Sequence, residues 1–481
     1  MSNTALMALI VFIPVVGAFV VPLAGVFSTR LRNWFSLLLV SASFVLALVL
    51  LRSLIGGETA IYRYPVPLGL NFVLYADKLA VFMAMVSSFI GAIIVLYSFG
   101  YISHYPNQNE YYAMVVLFIG SMMGLVFSGN LILMFVFWEI TAITSWRLIG
   151  FYRERPMVVK ADKSFLVTVF GALVMLVGFI MLYAQAGTFD LIGIKQNLAG
   201  RPISDAAMIL ILFGILSKSA TLPMQTWLPD AGVAPSPVTA LLHAAVLVKI
   251  GVYVYARLFV ATFDVNAVWT TVVPVIAAAS ALVSAGAALI ETDLKRIIAY
   301  STISQIGFIF LGLATNTAIG IAGGLLYILM HGLAKAGLFL CAGIVEQNTH
   351  CKDITKLGGL VKSMPITAIS FLLCAFSVMR IPPFGGFFSK YMVIAGTVNS
   401  GHVVLAAVFV LGAVLTVIYL FRVFTLVFMG EPKAGLAKEG SPVMVFCVAL
   451  LALLGLVAGP YVHYPGSFVA SAVQQMANLV K

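Results

Sequence analysis

The chain has 481 residues, is 62% hydrophobic and only 9% charged, and has a mean hydropathy of +1.11. No soluble core uses that composition, so the chain reads as an all-α, polytopic integral membrane protein lying in the lipid bilayer. The net charge of +11 is scattered through short loops, which fits a positive-inside bias and leaves no basic face for nucleic acid.

Apolar runs of about 20 residues predict about fourteen membrane spans. They lie near 5–27, 34–55, 78–100, 111–128, 130–151, 162–186, 206–228, 237–260, 268–290, 295–314, 318–345, 365–397, 403–429 and 441–461. The first carries no cationic stretch ahead of it and no small-residue cleavage site, and reads as a retained helix. Loops after odd-numbered spans are the basic ones: Arg30 and Arg32; Arg153, Arg155, Lys160 and Lys163; Lys352, Lys356 and Lys362; Lys433 and Lys438. The other loops are poorer, with Arg52, Arg63, Lys195 and Arg201 as the main cations. This bias puts the odd-numbered loops in the cytoplasm and both termini outside an inner (plasma) membrane. Lys78, Arg147 and Arg257 sit near span ends, where a long cationic side chain is expected to reach the interface.

Two spans are interrupted. The seventh, AAMILILFGILSKSATLPMQTWL, carries Lys218 near its middle and Pro223 five residues later. Pro223 has no amide hydrogen, so the Ser219 carbonyl loses its helical partner. The twelfth holds Pro382, Pro383, Gly385 and Gly386 ahead of Lys390, and its prolines free the carbonyls of Val378 and Met379. An offset of five spans sets the two breaks in antiparallel helices, the pattern of inverted repeats around a transport site. The expected organisation is one membrane domain over 1–481: helices 1–3 within 1–104, a first repeat over 111–260, a second over 268–429, and a last span at 441–461.

Within these spans the ionisable groups form a row. Glu139 lies in the fifth span, Lys218 in the seventh, His243 and Lys249 in the eighth, His331 and Lys335 in the eleventh, and Lys390 in the twelfth. His331 and Lys335 are four apart and share a helical face. A charge at bilayer depth costs on the order of 2.5–3.5 kcal/mol, so such residues mark function. Four lysines against one carboxylate cannot all be charged comfortably, and groups of this kind trade protons. The row reads as a proton relay, with Glu139 as the partner of Lys218.

Cys341, Cys351, Cys374 and Cys447 form no CxxC and no cluster with histidine, and no phosphate- or dinucleotide-binding glycine pattern occurs. The expectation is no cofactor, no metal, and no redox or hydrolytic chemistry in the chain itself.

Five stretches carry a resemblance: FVFWEITAITSWRLIGFY (135–152), SKSATLPMQTWLPDAGVAPSPVTALLHAA (217–245), ETDLKRIIAYSTISQIGFI (291–309), MHGLAKAGLFLCAG (330–343) and IPPFGGFFSK (381–390). They resemble the antiporter-like subunits of respiratory complex I, the Mrp sodium/proton antiporters and the membrane-bound energy-converting hydrogenases. The resemblance implies fourteen helices, two inverted five-helix repeats, and discontinuous seventh and twelfth helices. It implies a Glu139–Lys218 ion pair as modulator, Lys249 as central relay and Lys390 as outlet. It also implies partners: homologous subunits and small hydrophobic subunits of one complex, moving protons and leaving sodium open. Departures are Trp146 and Arg147, where an extra cation could alter a subunit contact, and Lys390, where some complex I members have glutamate. The chain also ends soon after the fourteenth span, which favours a mid-sized subunit lacking a long lateral helix or extra domain. A self-sufficient transporter of a small solute and an inactive scaffold are the competing readings. The polar groups form a row rather than a pocket, against the first; the cost of keeping Glu139 and four lysines stands against the second.

Overall fold

The computed structural model describes residues 2–67, 71–432 and 438–480; Lys433 of the topology argument lies outside them. Among the described residues, eleven helices are long and apolar enough to cross a membrane. The expected seventh, twelfth and fourteenth spans are instead built from shorter helices: Asp205–Lys218, Pro365–Met379 with Gly385–Asn399, and Pro442–Val457. The helices start where the apolar runs meet a capping side chain. Asp77, Asn130, Ser204, Asp293 and Thr317 each accept from a backbone amide in the first turn that follows.

Burial sorts the helices. The most apolar stretch of Ser236–Val260 is 100% buried, and those of Leu294–Ala314 and Ala318–Thr349 are 94% buried; that of Thr29–Leu54 is 33% buried. The three central helices therefore form the core, and they carry Lys249, His331 and Lys335.

Two features were not anticipated. A two-stranded antiparallel hairpin, Ala60–Pro65 with Asn71–Ala76, lies between the second and third long helices, with Ala60 opposite Ala76. A further helix, His463–Val480, follows the last apolar one. Its Gln475 accepts from the Lys78 amide (2.9 Å) and donates to the Gly57 carbonyl (3.0 Å), clamping this helix to the turn before the hairpin and to the third helix.

Arg257 does not reach an interface. It is 2% exposed and forms a two-pronged pair with Asp77, itself 1% exposed, at 2.6 and 2.7 Å. Its Nε donates to Tyr253 Oη at 3.0 Å. Lys78 is buried as well, and Arg147 pairs with Glu110. For Arg257 the expectation failed because the span end is covered by the hairpin, whose Tyr75 ring lies 5.2 Å from the guanidinium; Arg147 stays 38% exposed.

On the basic-loop face, Asp230 accepts from Lys163 (2.7 Å) and Arg296 (2.6 Å), and Arg296 also reaches Glu291 at 2.8 Å. Burial pushes the Asp230 carboxyl up, yet these two bonds hold it below the usual carboxylate range. The loop after the first broken helix is thereby tied to the helix Leu294–Ala314.

Breaking a buried pair by removing one partner costs about 3–5 kcal/mol. Arg257→Leu alone is expected to lower the thermal midpoint of the detergent-purified protein sharply. Combining it with Asp77→Asn, which keeps the helix cap, should restore part of the loss. Equal midpoints for Arg257→Leu and the native chain would remove the pair from the account of stability.

Candidate functional site

Lys218 is the last residue of the helix Asp205–Lys218, not a mid-helix residue as the apolar run suggested. The helix stops before Pro223: Ser219 caps it and Ala220 takes a left-handed conformation (φ 50°). The helix C-terminus is where a cation is favoured by the aligned peptide dipoles. Lys218 Nζ donates to the Trp138 carbonyl at 3.2 Å and lies 5.3 Å over the Trp138 ring. Glu139 follows on the same helix, Leu131–Ile149, and its Oε1 is buried without a hydrogen-bond partner. The expected Glu139–Lys218 ion pair is thus open here, because the amine is taken by the neighbouring backbone.

Lys249 follows a widened turn over Leu241–Ala245 that contains His243, so the eighth span is not a regular α-helix. Widened turns of this sort occur often at functional sites. Lys249 Nζ donates to the Ile328 carbonyl at 2.7 Å. Ile328 lies one turn before His331 on the helix Ala318–Thr349. His243 and His331 are fully buried and make no hydrogen bond to protein; they rest against Phe339 (4.4 Å) and Tyr327 (5.7 Å). Their ring nitrogens stay uncommitted between Lys249 and Lys335.

Lys335 donates to the Ile298 carbonyl (3.1 Å) and to Ser301 Oγ (2.6 Å). Lys390 donates to the Val378 carbonyl at 2.8 Å, one of the two that the prolines were expected to free, and to Gln305 Oε1. Its Nζ also lies 4.7 Å over the Phe308 ring and 4.8 Å over the Tyr327 ring. Arg380, left-handed at the break (φ 70°), stands 4.2 Å over Phe308 as well. The two pieces of this helix approach so closely that a Cβ on Gly386 would lie 1.9 Å from the Ser377 carbonyl oxygen.

Each of the four lysines is therefore held by a main-chain carbonyl of a different helical segment, and among the described residues none makes an ion pair.

Between Lys335 and Lys390 runs a chain of groups that sequence reading missed. Tyr419 Oη donates to Ser301 Oγ (2.8 Å) and lies 3.3 Å from Thr416 Oγ1; Gln305 Nε2 donates to Thr416 Oγ1 (3.3 Å); Tyr327 Oη donates to Gln305 Oε1 (2.8 Å). Ser301, Gln305, Thr416 and Tyr419 are all fully buried. The signal was present: Ser301 and Gln305 are four apart, and Thr416 and Tyr419 three apart, so each pair shares one face of an apolar helix.

This architecture, broken helices around a file of buried amines, is that of the antiporter-like membrane subunits. The chain belongs to the family described as NADH:quinone oxidoreductase/Mrp antiporter, whose model matches residues 128–416 and so contains every residue of the row. A second model, for the N-terminus of chain 5 of complex I, matches residues 66–112. A sodium/proton antiporter subunit A1 of Staphylococcus haemolyticus is 32% identical over 99% of this chain; the chain spans 63% of that relative's length. In the archaeal membrane-bound sulfane sulfur reductase, a similar chain superposes with a TM-score of 0.90 at 25% identity, covering 100% of this chain and 99% of that one. A chain of the Dietzia Mrp complex superposes with a TM-score of 0.89 at 23% identity, over 98% of both chains.

A desolvated cation–ring contact is worth about 2 kcal/mol. Phe308→Leu removes the ring beneath both Lys390 and Arg380 and is expected to lower the thermal midpoint of the purified protein. An unchanged midpoint would reduce Phe308 to replaceable packing.

Proposed function

We propose that this chain is the proton-translocating, antiporter-like subunit of a multisubunit membrane complex. Protons pass along Lys218, Lys249, Lys335 and Lys390, with His243 and His331 between the two middle lysines. Glu139 is the gate: closing onto Lys218 it holds that amine charged, and in the open arrangement the amine rests on the Trp138 carbonyl. The observation that carries the reading is the carbonyl-held row. A carbonyl accepts from a neutral amine as well as from a charged one, so losing a proton does not strand the group.

The reading includes two inverted five-helix repeats over 111–260 and 268–429, broken at Pro223 and at Pro382–Pro383. It also includes a neighbour. Val136 and Ile143, 46% and 51% exposed, flank Glu139 on one helical face, and a homologous subunit covering that face would shield the carboxylate from lipid. Arg147 pairs with Glu110 within the chain. The complex lies in the plasma membrane with both termini outside. The sodium/proton name of the staphylococcal relative supports proton exchange, and the place of sodium is left open.

Lys218→Ala in the assembled, reconstituted complex is expected to cut proton translocation about a hundredfold. Lys218→Arg, which keeps the charge but cannot release the proton, should not restore it. Full translocation by either assembled variant would sink the relay and leave a scaffold.

A further inference from the structure

The bridge between Lys335 and Lys390 is continuous in contacts within hydrogen-bond reach but not in kind: the Tyr419 hydroxyl donates to Ser301 or to Thr416, and Thr416 donates to the Gly412 carbonyl. Ser301, Tyr419 and Thr416 are hydroxyls, and each can take a proton on the oxygen from which it gives one up. Gln305 is an amide: it accepts on Oε1 and donates from Nε2. Its orientation is set by its neighbours. Lys390 Nζ and Tyr327 Oη both donate to it here, so Oε1 faces them and Nε2 faces Thr416. To carry a proton across, Oε1 would have to gain one and Nε2 lose one. That leaves the high-energy imidic tautomer, which must revert before the next transfer.

We propose that Gln305 is an insulating gate, holding Lys390 in contact with the inner relay while blocking proton passage until its side chain swings away. The proposal rests on the proton-carrying reading above. Geometry fits it: Gln305, Thr416 and Tyr419 are fully buried, and Gln305 bonds Thr416 on one side and Lys390 on the other, so among the described residues it is the side chain that joins the hydroxyl run to Lys390. Under the proposed five-span repeat, the helix that carries Gln305 corresponds to the one that carries Glu139, and the Lys390 helix to the Lys218 helix. The first half thus sets a carboxylate beside its break lysine, and the second an amide of the same size.

The test uses the whole complex in proteoliposomes. Coupled proton translocation is measured first, then passive proton influx driven by a potassium diffusion potential with the driving reaction off. Gln305→Glu replaces the amide with a carboxyl that can gain a proton on one oxygen and lose one from the other. Passive influx is expected to rise about a hundredfold. Gln305→Met fills the same space without a transferable proton and should stay as tight as the native complex. Adding Tyr419→Phe to Gln305→Glu should close the leak by cutting the hydroxyl run. If Gln305→Glu assembles and stays tight, or its leak survives Tyr419→Phe, the gate is overturned. If the native complex moves no protons at all, the fault lies in the proton-carrying reading.

Discussion

An amine drawn into an apolar bundle must find an acceptor there, and the acceptor determines what the amine can do. This chain uses two solutions in two places. Arg257 pairs with Asp77, Lys295 with Glu346 at 2.9 Å, and Lys163 with Asp230. These carboxylates stabilise the charged cation and make it a fixed structural element. Lys218, Lys249, Lys335 and Lys390 rest on carbonyls. A carbonyl dipole satisfies the amine in either protonation state. Ion pairs gather where helices meet loops, and carbonyl-held amines where helices meet one another.

Irregular backbone places the lysines and frees one of those carbonyls; the other three, of Trp138, Ile298 and Ile328, lie inside regular helices and accept the amine on a second lone pair. The first broken helix ends at Lys218, which puts the amine at a helix C-terminus. The second break leaves Val378 without an amide partner because Pro382 stands four residues on, and Lys390 takes the vacancy at 2.8 Å. Gly386 lets the two pieces of that helix close to within reach of one amine. The widened turn at Leu241–Ala245 precedes Lys249. The break matters most at Lys390, whose acceptor has no amide partner of its own.

Much of this was legible from residue types alone. A lysine with apolar sequence on both sides stands out, and a proline announces which carbonyl it frees. Val378 was identifiable from Pro382 without coordinates. What escaped had physical reasons. Lys218 was read as mid-span because the apolar run continues past the point where the helix ends. The Glu139–Lys218 pair was expected from charge, but the Trp138 carbonyl competes at 3.2 Å. Arg257 was misplaced because its partner Asp77 and the hairpin that covers its end of the bundle come from a segment between spans that the sequence reading left unassigned. Ser301, Gln305, Thr416 and Tyr419 were overlooked because hydroxyls and amides in membrane helices usually bond their own backbone. Their meaning here depends on contacts such as Gln305–Thr416, 111 residues apart in sequence.

Holding the lysines by main-chain oxygens also shapes how such a chain can diverge. Every residue type brings a carbonyl, so Ile328, Ile298 and Val378 can be exchanged for other residues that keep the helix without losing the acceptor. The lysine side of each contact has no such freedom. Drift should therefore run through the acceptor positions and stop at the donors. Two chains could come to share little beyond a few lysines and a pair of helix breaks, and still superpose.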